Sequence, residues 1–231
     1  MTTTPTLFST QTRNVLESIL KEQQRVDATE QPKLLEKIRG RVSPWTPEDL
    51  VAACSSGYYA APENIGRMLY ACVRAIRPQT VFEFGTSYGF TAIHIAAALR
   101  DNGYGKLYTV DLHKEKCAAA REHLKSAGVA EQADVIQGEA VDVLSTFPEQ
   151  IDFLYLDGWA DFYLDVIKAA EPRLRPGSLV HADDTEKFAA AARPYLDHVR
   201  DSANGYVSVG ITDGQGLELS TFVDARTRAI A

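Results

Sequence analysis

The sequence predicts an α/β fold built on a seven-stranded, mostly parallel sheet that ends in an antiparallel hairpin and is preceded by helices. Three observations carry this prediction. From residue 80 onward, short β-rich runs alternate with helical patterns; the last two runs leave no room for a helix between them; and the first 60 residues show only helical periodicity. Alternating strand and helix implies right-handed crossovers and a parallel sheet covered on both faces.

The elements follow in chain order. Val15, Leu16, Ile19 and Leu20, then Leu34, Leu35 and Ile38, recur at helical spacing among charged residues, so residues 1–60 read as a helical extension over a second unit, 61–231. Thr46-Pro47-Glu48-Asp49 orders an N-cap, a proline and two first-turn acids, and opens a short helix near Leu50. Pro62 opens another, whose face of Ile65, Met68, Leu69, Cys72, Val73 and Ile76 is expected to be buried. Strands are predicted at 80–84, 106–112, 133–137, 151–157 and 178–184, with helices at about 89–101, 114–127, 139–147, 161–174 and 185–201. GYVSVGI and LELSTFV, joined by the Gly-rich TDGQG, form the closing hairpin over 205–223.

Composition limits the function. The 231 residues are 45% hydrophobic and 24% charged, enough for a sizeable core. A net charge of -7 with no basic block argues against nucleic acid or an anionic membrane as partner, and favours a small-molecule ligand. The polar start MTTTPTLFSTQTR lacks the marks of an export signal, and three cysteines without C-x-x-C spacing read as reduced thiols, which together predict a cytoplasmic protein.

In an open parallel sheet, ligands bind beyond the carboxyl ends of the strands. The first strand runs into Glu83-Phe84-Gly85-Thr86-Ser87-Tyr88-Gly89, where glycines allow a tight turn and the following helix start offers free N–H groups to a carboxylate or phosphate. The second ends in Asp111, a carboxylate able to accept both hydroxyls of a ribose. Residue 87 is Ser where a dinucleotide fingerprint has Gly, which disfavours pyrophosphate.

The order E-x-G-x-x-x-G, an acid ending strand two, Gly138-Glu139-Ala140 after strand three and Asp157 ending strand four resembles the class I S-adenosylmethionine (SAM)-dependent methyltransferases. Within that class VFEFGTSYGFTA, YTVDL, YLDGWADFY and HADDT are most similar to the catechol and caffeoyl-CoA O-methyltransferases, over about residues 60 to 223. The resemblance implies a Rossmann-like fold and SAM as cofactor. It implies that Glu83, Gly85 and Gly89 shape the cofactor turn, that Ser87 and Thr91 sit near the methionine carboxylate, and that Asp111 holds the ribose. Gly138, Glu139 and Ala140 would flank the adenine with Trp159, and Asp157 would lie near the sulfonium.

The resemblance also implies a divalent cation, usually Mg2+, at Asp157, Asp183 and Asp184, where Asp184 replaces the family's Asn. The alternative is that Asp183 or Asp184 caps a helix opening near Thr185. Where the metal-dependent relatives carry a lysine base this chain has Ala160; His181, on the same strand face as Asp183, is then the local candidate for a base, unless it is simply a core histidine. Catalytic candidates are therefore Asp157, Asp183 and His181. The expected activity is methyl transfer to a hydroxyl of a small, catechol-like acceptor. The alternatives are a metal-independent N- or O-methyltransferase and a SAM-binding protein without turnover. Trp45, Tyr58 and Tyr59 are candidate walls for the acceptor, the hairpin is a candidate cover, and the N-terminal helices offer a surface for a homodimer while their charged faces suit solvent equally.

Overall fold

The computed structural model describes residues 4–39, 46–54, 57–212 and 215–223, so Trp45 and the tip of the TDGQG turn lie outside the described residues. The N-terminal helices are α1 (Thr10–Arg39), α2 (Pro47–Cys54) and α3 (Glu63–Ile76). Helix α1 buries Leu16, Ile19 and Leu34, whereas Leu35 is exposed. Thr46 and Asp49 form the reciprocal cap expected before α2: the Asp49 N–H donates to Thr46 Oγ1 at 3.2 Å and the Thr46 N–H to Asp49 Oδ2 at 3.1 Å. On α3 the face of Ile65, Leu69 and Val73 is buried as expected, but Ile76 is exposed because the helix ends at Arg77 in the left-handed conformation.

The remainder alternates β1 (Thr80–Phe84), α4 (Phe90–Asn102), β2 (Lys106–Asp111), α5 (Lys114–Ser126), β3 (Ala133–Gln137), α6 (Ala140–Thr146), β4 (Ile151–Leu156), α7 (Tyr163–Ala170), β5 (Leu174–Ala182), α8 (Ala189–Arg200), β6 (Tyr206–Ile211) and β7 (Leu217–Phe222). The sheet order is β3-β2-β1-β4-β5-β7-β6, with β1 to β5 parallel and β7 antiparallel to both of its neighbours. The predicted seven strands and the closing hairpin are present.

Strand alternation sorts the interior into two layers. Val81, Leu107, Phe153 and Tyr155 face one core shared with α3 and α4, while Phe82, Val110, Leu154 and Val180 face the other, shared with α7 and α8. Ala96, Ala97, Ala98 and Leu99 on α4 have no exposure at all, because small side chains let α3 close over the helix as it lies on the sheet.

Three boundaries moved by four residues: α7 ends at Ala170 rather than 174, with a 3-10 turn over Glu171–Arg173 after it, and the starts of β5 and α8 shifted for local reasons. Strand β5 begins at Leu174 rather than Ser178, with its pairing to β4 shifting across Pro176-Gly177. There Ser178 Oγ accepts from the Arg175 N–H at 3.0 Å and donates to the Ile151 carbonyl at 2.7 Å, which bridges the irregularity. Helix α8 begins at Ala189 rather than 185, because the N–H groups of Thr185, Glu186 and Lys187 are drawn to the carbonyls of Gly216 and Gln215.

Candidate active site

The parallel strands deliver their carboxyl ends to one edge, and the ladder continues past them. The Gly85 N–H reaches the Val110 carbonyl at 3.0 Å, the Asp157 N–H reaches Phe84 O at 2.9 Å and the Asp183 N–H reaches Leu156 O at 2.9 Å. The backbone therefore fixes where β1, β4 and β5 release their acids. Gly85 has φ +106°, and a Cβ there would stand 2.5 Å from the Asp157 carbonyl, so only glycine lets this turn lie against the end of β4.

A cavity of about 240 Å³ opens at this edge. Its wall includes the sequence-predicted Gly85, Ser87, Thr91, Asp111, Glu139, Ala140, Asp157 and Trp159. Asp111 is oriented by its backbone neighbours: the Ser87 N–H donates to Oδ2 at 2.7 Å and the His113 N–H to Oδ1 at 2.9 Å. Each carboxylate oxygen keeps a further lone pair for a ligand hydroxyl. Trp159 stands beside Phe188, with ring centroids 6.0 Å apart, and Phe162 adds a further aromatic wall. Aromatic faces, a ribose-type carboxylate and the start of α4 with Thr91 fit an adenosyl ligand with an amino-acid tail.

Three predicted cofactor residues stand behind this wall. Gly89, at φ +85°, caps α4 and backs onto Ala120. Gly138 gives its N–H to the Asp111 carbonyl at 3.0 Å. Glu83 is fully buried, its Oε2 accepting from Thr109 Oγ1 at 2.6 Å. Burial pushes its carboxyl up to about 7, an effect only partly offset by the hydroxyls of Thr109 and Thr91. It is a neighbour of the turn from below.

A second cavity of about 260 Å³ adjoins the first and shares Asp157, Asp184, Lys187, Gln31 and Tyr59 with it. Asp157, Asp183 and Asp184 all line it, so the three strand-end carboxylates do converge. Burial, and then the charges of Asp183 and Asp184, hold the Asp157 carboxyl well above its ordinary range. The other two are already engaged. Asp183 accepts from the Asp184 N–H at 2.9 Å and from Tyr155 Oη at 3.3 Å, and Asp184 is paired with the Lys187 ammonium at 2.9 Å. Among the described residues, no group of three His, Cys, Asp or Glu side chains is disposed to hold a metal ion. The donors are chemically right for Mg2+, and the Lys187 ammonium answers Asp184.

Two expectations are corrected here. His181 is on neither cavity wall: it has no exposure and packs against Tyr155, with ring centroids 5.1 Å apart, because it sits two residues below Asp183 on an interior strand. Nor do Asp183 and Asp184 cap a helix near Thr185; α8 starts later, with Phe188 at its N-cap. Ala160, the position of the absent lysine, is 2% exposed within the apolar layer under α7 and also faces neither cavity.

The cover comes from the N-terminal helices. Gln31, Leu34 and Leu35 of α1 and Pro47, Val51 and Cys54 of α2 line the first cavity; Leu20, Gln23 and Gln31 line the second. Asp27 on α1 accepts from the N–H groups of Tyr58 and Tyr59 at 2.8 and 3.0 Å, and the Tyr58 carbonyl in turn accepts from Ser87 Oγ at 2.6 Å. This chain of bonds ties the cover to the glycine turn. Tyr59 lines both cavities, and Tyr58 stacks on Tyr88 at 3.8 Å.

Sequence reasoning missed Asp27, Lys187 and Lys116. The last is 4% exposed, lines the first cavity and places its ammonium 5.3 and 5.5 Å from the rings of Tyr59 and Tyr88. Its signal was present: Lys116, Cys117, Ala120 and Leu124 share one helical face, which predicts that the lysine points inward.

Comparison with known proteins agrees with this geometry. Residues 82–185 match a family model described as a methyltransferase domain. The chain is 25% identical over 188 residues to catechol O-methyltransferase B of Danio rerio, covering 76% of this chain and 70% of that one. It is 27% identical over 125 residues to caffeoyl-CoA O-methyltransferase 1 of Eucalyptus globulus, covering 52% and 50%. In fold, it matches the O-methyltransferase from Bacillus cereus in complex with SAH, with a TM-score of 0.66 at 17% identity over 81% of this chain and 96% of that one. Strand order, strand-end acids and these relatives agree: residues 82–185 match a methyltransferase domain, and the chain is similar to catechol and caffeoyl-CoA O-methyltransferases.

Proposed function

We propose that the chain is a cytosolic SAM-dependent O-methyltransferase that acts on a hydroxyl of a small, aromatic, catechol-like molecule. The observation that carries this reading is the pair of adjoining cavities at the carboxyl edge of the sheet, one beneath the glycine turn and Asp111, the other around Asp157, Asp183 and Asp184. Relatives named for catechol and caffeoyl-CoA, and the fold shared with a protein crystallised with SAH, support it. Three unpaired cysteines suit a reducing compartment, and among the described residues no helix is long and apolar enough to cross a membrane.

In this reading SAM supplies a methyl group on a positively charged sulfur. Asp111 holds the ribose, Trp159 and Ala140 border the adenine, Ser87 and Thr91 meet the amino-acid end, and Asp157 offers negative charge where the two cavities meet. Holding acceptor and methyl in line, with water excluded by α1 and α2, supplies on the order of 7–11 kcal/mol of the barrier. The resemblance implies Mg2+ at Asp157, Asp183 and Asp184, which line one cavity; bound there it would orient the acceptor hydroxyl and lower its pKa.

Calorimetry with SAM and S-adenosylhomocysteine tests the cofactor half, and methylation of a panel of phenols and catechols tests the acceptor half. Binding and methylated product are expected. Folded protein that binds neither compound would overturn the reading, and binding without product across the panel would favour the non-catalytic alternative.

A further inference from the structure

We infer that the ammonium of Lys116 receives the α-carboxylate of the cofactor and makes the first cavity select adenosyl ligands that carry one. This rests on the methyl-transfer reading above and goes beyond it by naming the counter-charge of the amino-acid end, which that reading leaves to Ser87 and Thr91.

Those two side chains have no proton left to give. Ser87 Oγ donates to the Tyr58 carbonyl at 2.6 Å, the Ser87 N–H goes to Asp111 Oδ2 at 2.7 Å, and the Thr91 hydroxyl is spent on the buried Glu83 carboxyl. Their oxygens can still accept from the ammonium of an amino-acid tail, but its carboxylate has to find its charged donor elsewhere.

Lys116 meets that need. It stands in the first turn of α5, lines the first cavity and is 4% exposed. Among the described residues its ammonium has neither a hydrogen bond nor an acid within ion-pair distance; its contacts are the rings of Tyr59 and Tyr88, at 5.3 and 5.5 Å. Asp111 and Asp27 act on it only from further away, and both are already held by main-chain N–H groups. Tyr88 follows Ser87 in the glycine turn and Tyr59 follows Tyr58 in the cover, so the ammonium sits where turn and cover meet, beside the residues placed at the amino-acid end.

Stability alone does not call for a cation there. Burial pushes the ammonium below the ordinary lysine range, and the positive end of a helix dipole disfavours it further. The two rings offset part of this, but three N–H donors kept from water remain costly until an anion reaches them. The other lysine on this cavity wall, Lys187, is paired with Asp184 at 2.9 Å. Lys116 is thus a charged donor held ready for the one anionic group that the cofactor carries.

Calorimetry of the full chain with three ligands tests this: S-adenosylhomocysteine, its decarboxylated counterpart S-adenosyl-3-thiopropylamine, and 5′-methylthioadenosine, which lacks the whole tail. Wild type should bind S-adenosylhomocysteine about ten-fold or more tighter than the decarboxylated compound. Lys116→Met should weaken S-adenosylhomocysteine by about ten- to a hundred-fold and leave the other two within about two-fold, which also reports an intact fold; Lys116→Arg should retain most of the affinity. Lys116→Gln gives the same readout where the methionine variant does not fold. Parallel losses for all three ligands would overturn the proposal, because the ammonium would then serve only to hold Tyr59 and Tyr88. So would a charge-removing variant that matches wild type, or a wild type indifferent to the carboxylate. Wild type that binds none of the three would sink the methyl-transfer reading itself, and this inference with it.

Discussion

The two halves of the site are made differently. The cofactor half is assembled from strand ends and the turns that continue the ladder, so its acids are aimed by main-chain bonds: both oxygens of Asp111 accept backbone N–H groups, and the glycine turn lies directly against β4. The acceptor half is assembled from pieces distant in sequence, namely α1, the loop 183–188 and Gln215. The two departures from the pattern of the resembling family, at Ala160 and Asp184, belong to the sequence around this second half. A sheet edge fixes one ligand's geometry, while loops and added helices are free to change the other's.

The sharpest way to break that contrast is at Gly85. A Cβ there would need a positive φ of 106° and would stand 2.5 Å from main-chain atoms of Asp157 that cannot move without shifting β4. Gly85→Ala should cost about 4 kcal/mol, combining backbone strain with overpacking, and should abolish S-adenosylhomocysteine binding. Urea unfolding and calorimetry would show it. Wild-type stability and affinity would mean that the close approach of turn and strand is not required.

Glu83 tests the same half from beneath. Its carboxyl is raised to about 7, chiefly by burial. The folded state therefore holds a proton that the unfolded chain has released between about pH 4.5 and 7, and stability falls as pH rises through that window. At pH 8 this amounts to about 3 kcal/mol lost relative to pH 4, and Glu83→Gln should remove that part of the slope. Denaturant midpoints for wild type and variant at several pH values give the difference directly; parallel curves would show that Glu83 titrates normally.

The two halves should also separate functionally. Asp111→Ala should weaken S-adenosylhomocysteine binding by about ten- to a hundred-fold, through lost ribose hydrogen bonds and a loosened Ser87, while Asp183→Ala should leave that affinity within a few-fold and lower acceptor turnover instead. Equal losses of cofactor affinity would show that the division into halves is wrong.

How far the sequence foretold this follows from the same division. β1 and β3 were legible to the residue, because strands bounded by turn residues leave little freedom, and eight of the predicted cofactor residues line one cavity because strand ends map directly onto the sheet edge. What failed was reach. His181 and Glu83 alternate onto the correct strand face, yet alternation says nothing of depth, and both lie below the rim. Lys187 was invisible because its placement depends on Gln215, nearly thirty residues away, stopping the α8 pattern from starting at 185. Asp27 was hidden similarly, since its partners Tyr58 and Tyr59 come from another element.

The smallest effect expected concerns the lysine missing at position 160. If this position were a vacated base site, Ala160→Lys would add turnover on catechols. Ala160 instead opens the turn before α7, 2% exposed, within the apolar layer that includes Tyr163 and Val166, and faces neither cavity. A lysine there has to overpack that layer or push its ammonium out past Trp159, at a cost of about 1–2 kcal/mol, and its charge does not arrive beside the acceptor. Thermal unfolding should register the destabilisation while kcat/KM for catechols shows no increase. A gain in turnover would reopen the vacancy at 160.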